Sequence, residues 1–153
     1  MDRTEKQELV ASLQKTFEDA TSVVVTHYSG LTVQEMGVLR GRMREAGALF
    51  KVTKNRITRL ALKGTKFEQL SDLFTGPTAI AYSKDPVAAA KVAVSFAKEN
   101  EKLIVLGGGF EAQALDADGV KALATLPSLD ELRAKLIGML STPATRIAQV
   151  LQA

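Results

Sequence analysis

The order of strand-like and helix-like segments limits the fold of this chain more than any other feature of its sequence. Four short segments have the apolar, β-branched character of strands. They are 22–28 (SVVVTHY), 48–54 (ALFKVTK), 78–83 (TAIAYS) and 102–108 (KLIVLGG). A helical pattern lies between the first two and between the last two. This order predicts an α+β fold, a two-layer ferredoxin-like (βαββαβ) sandwich with one antiparallel sheet and helices on one face.

Local signals set the expected ends of the helices. Residues 2–20 are predicted to form an N-terminal amphipathic helix, because apolar residues recur there at helical spacing. Thr32 followed by Glu35 matches a capping box, which starts a second helix, and Gly47 is expected to end it. The last helix of the sheet region is expected at 116–126.

The connection between the second and third strands is enlarged into a helical insertion, residues 54–77. Asn55 is expected to cap its first short helix, which ends at Gly64, and 67–74 is expected to form another helical piece. After the third strand, Asp85–Pro86 is predicted to open an alanine-rich helix, with the aspartate as cap and the proline in the first helical position.

The C-terminal part has a different pattern. Ser128 begins a second capping-box pattern (SLDE), and the helix that follows carries its leucines on one stripe. Pro143, with Thr142 as a cap, is expected to kink or restart this helix. We therefore predict a globular domain at 1–126 and a C-terminal helix at 127–153. The periodicity alone fits two alternatives equally, a core helix folded back on the domain and a docking site for a partner.

Positive charge is concentrated in one region of the chain. The net charge is +3, but residues 1–66 hold 12 Lys and Arg against 7 Asp and Glu, whereas the remainder holds 8 against 10. Between Arg40 and Lys66 there are nine basic residues and one acid, Glu45. Such a concentration predicts a binding surface for an anionic partner.

This pattern favours a surface that binds nucleic acid over a basic surface that is only exposed to solvent. Segment 51–64 (KVTKNRITRLALKG) contains five cations and no acid, and Lys and Arg bind phosphate by neutralising charge and releasing counterions. Asn55 as a helix cap between Lys54 and Arg56 would add backbone N–H donors for a phosphate. Phe50 and Tyr28 are the only aromatic residues in or near the cluster. A folded or duplex RNA therefore fits better than a single strand bound by base stacking, and DNA is not excluded as the ligand.

The composition argues against catalysis, a metal and a membrane segment. The chain has no Cys, and His27 is its only histidine, so neither a thiolate nucleophile nor a histidine metal cluster is expected. The segment 106–110 (LGGGF) lacks the spacing of a nucleotide-binding loop and is expected to be the glycine-rich turn at the end of a strand. No run of 18 apolar residues occurs, and we expect no membrane span or secretory signal.

Four blocks together resemble a known family. They are YSGLTVQEMGVLRGRMREAG (28–47), KVTKNRITRLAL (51–62), FTGPTAIAYSKDPVAAAK (74–91) and LPSLDELRAKLIGMLSTPATRIAQVL (126–151). In this order they are similar to the bacterial ribosomal stalk-base family, the large-subunit protein numbered ten. The resemblance extends from the first helix to the last residue.

The resemblance implies a structural protein of the cytoplasmic ribosome, with no enzyme activity and no cofactor. Its globular domain is expected to bind large-subunit ribosomal RNA at the GTPase-associated region, beside the protein numbered eleven. Its C-terminal helix is expected to carry dimers of the acidic stalk protein, which recruit translational GTPases, so that contact with those factors is indirect. An alternative is a regulatory RNA-binding protein that represses translation from its own messenger leader.

The resemblance also assigns candidate site residues. Those expected to bind RNA combine the matched family motifs with two further members of the charge cluster, Arg44 and Lys51. The full set is Ser29, Gly30, Leu31, Thr32, Arg40, Arg44, Lys51, Lys54, Asn55, Arg56 and Arg59. The set expected to bind the stalk protein is Leu132, Leu136, Leu140, Ile147 and Leu151. Family members usually continue with further amphipathic segments, so for a helix that ends at Ala153 we expect one stalk dimer.

Overall fold

The computed structural model describes residues 3–152, and it contains all four predicted strands. Residues 2 and 153, which the predicted N- and C-terminal helices include, lie outside the described residues. The chain order is α1 (Arg3–Asp19), β1 (Ser22–His27), α2 (Val33–Glu45), β2 (Ala48–Val52), α3 (Asn55–Leu62), a 3₁₀ helix (Glu68–Leu73), β3 (Thr78–Ser83), α4 (Ala88–Glu99), β4 (Ile104–Phe110), β5 (Gln113–Asp116), α5 (Ala117–Thr125) and α6 (Leu129–Gln152).

The strands form one antiparallel sheet in the order β2-β3-β1-β4-β5. His27, the last residue of β1, lies opposite Thr78 in β3 and Ile104 in β4. Val52, the last residue of β2, lies opposite Ala79. Therefore the ends of β1 and β2 and the beginnings of β3 and β4 share one end of the sheet, which we call the His27 end. The ferredoxin-like arrangement predicted from the sequence is confirmed.

Helices cover both faces of the sheet. On one face α2, α4 and α5 pack over a core that includes Val24, Leu39 and Phe96. On the other face α1, α3 and the 3₁₀ helix pack over a second core that includes Val23 and Phe17. The prediction of helices on one face thus describes only α2, α4 and α5. The N-terminal helix and the insertion add a layer on the opposite side. They cover Val23 and Val25, the apolar residues of β1 that face away from α2, α4 and α5.

The glycines at 107–109 lie inside a strand instead of forming a turn. A Cβ atom built on Gly108 would lie 2.7 Å from the Val23 carbonyl oxygen, and one on Gly109 would lie 2.6 Å from Cδ1 of Phe67. The missing side chains thus allow β1 and Phe67 to approach β4 closely. The strand continues to Phe110 and turns back into β5, a short strand that the sequence pattern did not predict.

Among the predicted helix starts before α5, the one at Thr32 is confirmed and those at Asn55 and Asp85 are wrong. Thr32 and Glu35 form the expected capping box. Asn55 is the first residue of α3 and not its cap, because its side chain bonds to a distant loop. Helix α4 begins at Ala88, and the Asp85 carboxylate accepts a hydrogen bond from the backbone N–H of Val87 (3.0 Å) in the turn before the helix.

Helix α6 extends away from the rest of the molecule. Its capping box is present, since Ser128 N–H donates to Glu131 Oε2 (3.0 Å) and Glu131 N–H donates to Ser128 Oγ (3.3 Å). The helix is continuous through Pro143, and Thr142 Oγ1 donates to the Gly138 carbonyl (2.6 Å) instead of capping a new helix. Every residue from 130 to 152 is exposed, so the structure does not show a core helix folded back on the domain.

Candidate nucleic-acid interface

Three loops meet at the His27 end of the sheet. They are residues 28–32 after β1, residues 53–54 after β2 and residues 74–77 before β3. The first two contain predicted RNA-binding residues, and the third was not predicted to take part. The register of the sheet, and not proximity in the sequence, brings them together.

The loop at 28–32 is held by the capping box of α2. The Thr32 N–H and hydroxyl donate to Glu35 Oε2 at 2.7 and 2.9 Å, and Lys102 Nζ lies 3.3 Å from Glu35 Oε1. These hydrogen bonds, first of all that from the Thr32 backbone, lower the pKa of the Glu35 carboxyl below its ordinary value. Gly30 takes a left-handed conformation (φ 84°), which glycine adopts without steric cost. Ser29 is exposed and Leu31 packs against the core, so Leu31 anchors the loop.

Side chains from α3 and β1 hold the loop at 74–77. Arg59 Nη2 donates to the Phe74 carbonyl (2.7 Å), His27 Nε2 lies 2.7 Å from the Thr75 carbonyl oxygen, and Asn55 Nδ2 donates to the Gly76 carbonyl (2.7 Å). The next carbonyl, that of Pro77, accepts from the Tyr28 N–H at 3.3 Å. Four successive carbonyls therefore have partners, and this loop is fixed along its whole length.

Asn55 joins the insertion to the sheet. While its amide group donates to Gly76, its Oδ1 accepts a hydrogen bond from the hydroxyl of Thr78, which is buried. The side chain of Asn55 is half-buried. The side chain of Asn55 therefore does not cap α3, as was predicted, but joins α3 to the third loop and to β3.

A groove with a volume of about 530 Å³ runs between the second and third loops. It is lined by Tyr28, Val52, Thr53, Lys54, Asn55, Arg56, Gly76, Pro77 and Thr78. Two of these side chains are basic and none is acidic. Lys54 and Arg56 are both exposed, so the groove presents positive charge to solvent.

The predicted RNA-binding cations have no acidic partners in the part of the chain that the structure describes. The ion pairs within residues 3–152 involve other basic residues. Arg42 is one of these: its Nη1 lies 2.7 Å from Glu99 Oε2. Its guanidinium carbon also lies 5.8 Å from the centre of the Phe96 ring. The cations without such a pair are Arg40, Arg44, Lys51, Lys54, Arg56 and Arg59. Their charge is therefore not neutralised within the molecule.

The structure brings only some of these cations to the groove. Lys54 and Arg56 line it. Arg40 and Arg44 are exposed on α2, about 12 and 18 Å along the helix axis from Thr32 at a rise of about 1.5 Å per residue. Lys51 is exposed in the edge strand β2. The predicted set thus divides into a cluster at the His27 end and three cations along α2 and β2.

Three residues that the sequence analysis did not select complete this site. His27 holds the third loop, and Tyr28 and Pro77 line the groove side by side, since the Tyr28 N–H donates to the Pro77 carbonyl (3.3 Å). The position of His27 and Tyr28 at the end of a predicted strand, and the Gly–Pro turn before the next, were visible signals. What the sequence did not supply was the strand register that makes them neighbours.

The stalk-binding residues predicted on α6 are exposed apolar side chains. The exposed fraction is 39% for Leu132, 61% for Leu136, 82% for Leu140, 63% for Ile147 and 82% for Leu151. No part of the molecule within residues 3–152 buries them. Helix α6 contains charged residues, and no helix in the described chain is long and apolar enough to cross a membrane.

Comparison with known proteins gives a consistent result. A sequence profile described as "Ribosomal protein L10" matches residues 1–98. A protein of Paramagnetospirillum magneticum named "Large ribosomal subunit protein uL10" is 71% identical over 148 residues, which are 97% of this chain and 86% of that protein. Proteins of the same name from Rhodospirillum rubrum and Mesorhizobium japonicum are 65% and 61% identical over 153 residues, which are 100% of this chain and 89% of each relative. The chain therefore belongs to the ribosomal protein L10 family, whose members are structural, non-enzymatic proteins of the large ribosomal subunit.

Proposed function

We propose that this chain links the RNA of the large ribosomal subunit to the acidic stalk proteins in the cytoplasmic ribosome. Residues 1–126 bind the RNA, and residues 127–153 dock the stalk dimers. The single observation that carries the proposal is the separation of two unpartnered surfaces. Exposed cations without acidic partners lie at the His27 end of the sheet and along α2 and β2, and an exposed apolar stripe lies on a helix that leaves the domain.

The basic surface is suited to a folded polyanion. Lys54 and Arg56 neutralise phosphates, and the counterions released from the RNA supply most of the affinity. Because the third loop is fixed by Arg59, His27 and Asn55, little conformational entropy is lost when RNA binds. On the ribosome this RNA is the GTPase-associated region, beside the protein numbered eleven.

The stripe on α6 is suited to partners that bury apolar surface. Burying one leucine or isoleucine side chain contributes about 1.5–3 kcal/mol. Five such side chains, exposed in the chain alone, offset the cost of association, which is about 4–15 kcal/mol. The helix then carries the acidic stalk protein, and contact with translational GTPases is made through that protein.

The RNA part of the proposal is tested with the double variant Lys54→Ala/Arg56→Ala. We expect weaker binding to a transcript of the GTPase-associated region and a salt dependence whose slope falls by about two, because two phosphates are no longer neutralised. Lys91→Ala/Lys98→Ala is the control with the same change of charge, because both lysines are exposed on α4. If the control pair weakened binding as much as the test pair, affinity would follow net charge and not this surface.

The docking part is tested with Leu136→Asp. A charge in the stripe should abolish binding of the stalk dimer, while affinity for the transcript stays unchanged. Gln149→Asp places the same charge on α6 away from the stripe, and we expect it to bind the dimer normally. Should Leu136→Asp bind the dimer as well as Gln149→Asp does, the stripe is not the docking surface. Tighter binding to the chain's own messenger leader than to the transcript would favour a regulatory role.

A further inference from the structure

We propose that the groove between residues 53–56 and 76–78 accepts one unpaired nucleotide of the RNA. Its base lies against Tyr28 and Pro77, and its phosphate lies at Lys54 and Arg56. This inference rests on the proposed function and deepens it, because it names the element of the RNA that the site takes. It also gives Asn55 the role of a positioning residue.

The lining of the groove combines the two surfaces that a nucleotide needs. Tyr28, which is half-buried and packs against the core, and Pro77 are its ring-bearing residues, and Lys54 and Arg56 contribute positive charge without an acidic residue in the lining. The groove is open to solvent and has a volume of about 530 Å³. The site therefore has room for a ring system as well as for a phosphate.

The number of aromatic residues limits the ligand to one base. Tyr28 is the aromatic residue that lines the groove, whereas Phe50 is 9% exposed and packs in the core below α2 and α4. Proteins that bind single strands use a succession of aromatic side chains for successive bases. A single aromatic position beside cations fits an unpaired nucleotide that projects from a folded RNA.

The polar side chains of the groove are already engaged in holding its walls. Asn55 bonds to Gly76 and Thr78, and the hydroxyl of Thr53 lies 2.7 Å from that of Thr58. Because these groups are committed to the protein, the base is held mainly by stacking, which every base supports. We therefore expect the presence of the base to matter more than its identity.

The fixed third loop makes the groove ready to bind. The carbonyls of residues 74–77 all have hydrogen-bond partners, and Gly76 takes a left-handed conformation (φ 75°) with the His27 ring beside it. A wall that is already ordered lowers the entropic cost of accepting the nucleotide.

The first test changes the RNA and leaves the protein intact. Each unpaired nucleotide in a transcript of the GTPase-associated region is replaced in turn by an abasic one, and affinity is measured over a range of salt concentrations. We expect one position to lose about 5- to 150-fold, the range for one base–aromatic stack, with the salt slope unchanged because no phosphate is removed. Replacing the same base by another should change affinity by less than the abasic substitution does.

The second test assigns that position to Tyr28. Tyr28→Leu should bind the normal transcript about 5- to 150-fold more weakly and should no longer respond to the abasic substitution, while Tyr28→Phe behaves as the parent. Thermal unfolding and stalk-dimer binding of each variant show that the fold is kept. Because the abasic series uses the unaltered chain, a series without a critical position overturns the inference even if Tyr28→Leu does not fold.

The outcomes separate this inference from the function on which it rests. Steep salt dependence combined with an abasic series in which no position loses more than about twofold would overturn the groove inference alone, because the phosphate contacts would remain. If the abasic substitution at the critical position weakened binding of Tyr28→Leu as much as binding of the parent chain, that base would lie outside the groove. This result would also overturn the groove inference. No salt-dependent binding of the parent chain would overturn both proposals.

Discussion

Replacing Asn55 by alanine removes its side-chain hydrogen bonds to Gly76 in the third loop and to Thr78 in β3, while the bond from Arg59 in α3 to Phe74 remains. Each bond contributes about 1 kcal/mol net, and the bond to the buried Thr78 hydroxyl is the costlier loss because that group is left unsatisfied. Alanine is a better helix former than asparagine at this position by about 0.5 kcal/mol. The net loss of unfolding free energy is therefore about 1.5 kcal/mol.

Urea denaturation followed by circular dichroism measures this loss. With a slope of about 1–3 kcal/mol per molar urea, the midpoint should fall by about 0.5–1.5 M. Asn100→Ala is the matched control, because Asn100 follows α4 and its side chain makes no hydrogen bond within the described residues; its midpoint should stay near that of the parent. Equal midpoints for the two variants would refute the role assigned to the Asn55 amide.

Two further perturbations test the packing and the capping. Gly109→Ala places a Cβ against Phe67 and should lower the unfolding free energy by about 1–3 kcal/mol. Gly138→Ala is the control, because Gly138 has open space around it, and it should not lower the unfolding free energy. Equal shifts of the melting temperature would contradict the close contact at Gly109. The lowered pKa of Glu35 means that its stabilisation is present above its ordinary pKa and is lost as the pH falls through the lower, folded-state value. The melting temperature of Glu35→Gln should therefore lie below that of the parent at about pH 7 and approach it as the pH falls below the ordinary carboxyl pKa, and a pH-independent difference would contradict this.

Local signals predicted most elements because the residues involved act on their own neighbours. The capping boxes that begin at Thr32 and Ser128 satisfy the first N–H groups of their helices within one turn. The strand at 78–83 is apolar along its length because both of its faces are covered, and it has the predicted limits. Such features need no knowledge of the rest of the chain.

The sequence did not predict features that depend on distant partners. Asn55 has the residue type of a helix cap, but its side chain bonds to Gly76 and Thr78, more than twenty positions along the chain. Strand β5 has only four residues and exists through its pairing with β4. The stripe on α6 has the same periodicity whether it is buried or free, so only the structure distinguishes these alternatives.

If RNA lies against the His27 end of the sheet, hydroxyl radicals generated at that end should cleave it. The chain has no cysteine, so Thr75→Cys and Ala112→Cys each carry a single attached iron chelate that generates hydroxyl radicals. Both positions are exposed, and they lie at opposite ends of the sheet, about 20 Å apart for a strand of six residues. Cleavage of the bound transcript from position 75 and little or none from position 112 is the predicted result. Stronger cleavage from position 112 would show that the RNA lies at the opposite end of the sheet.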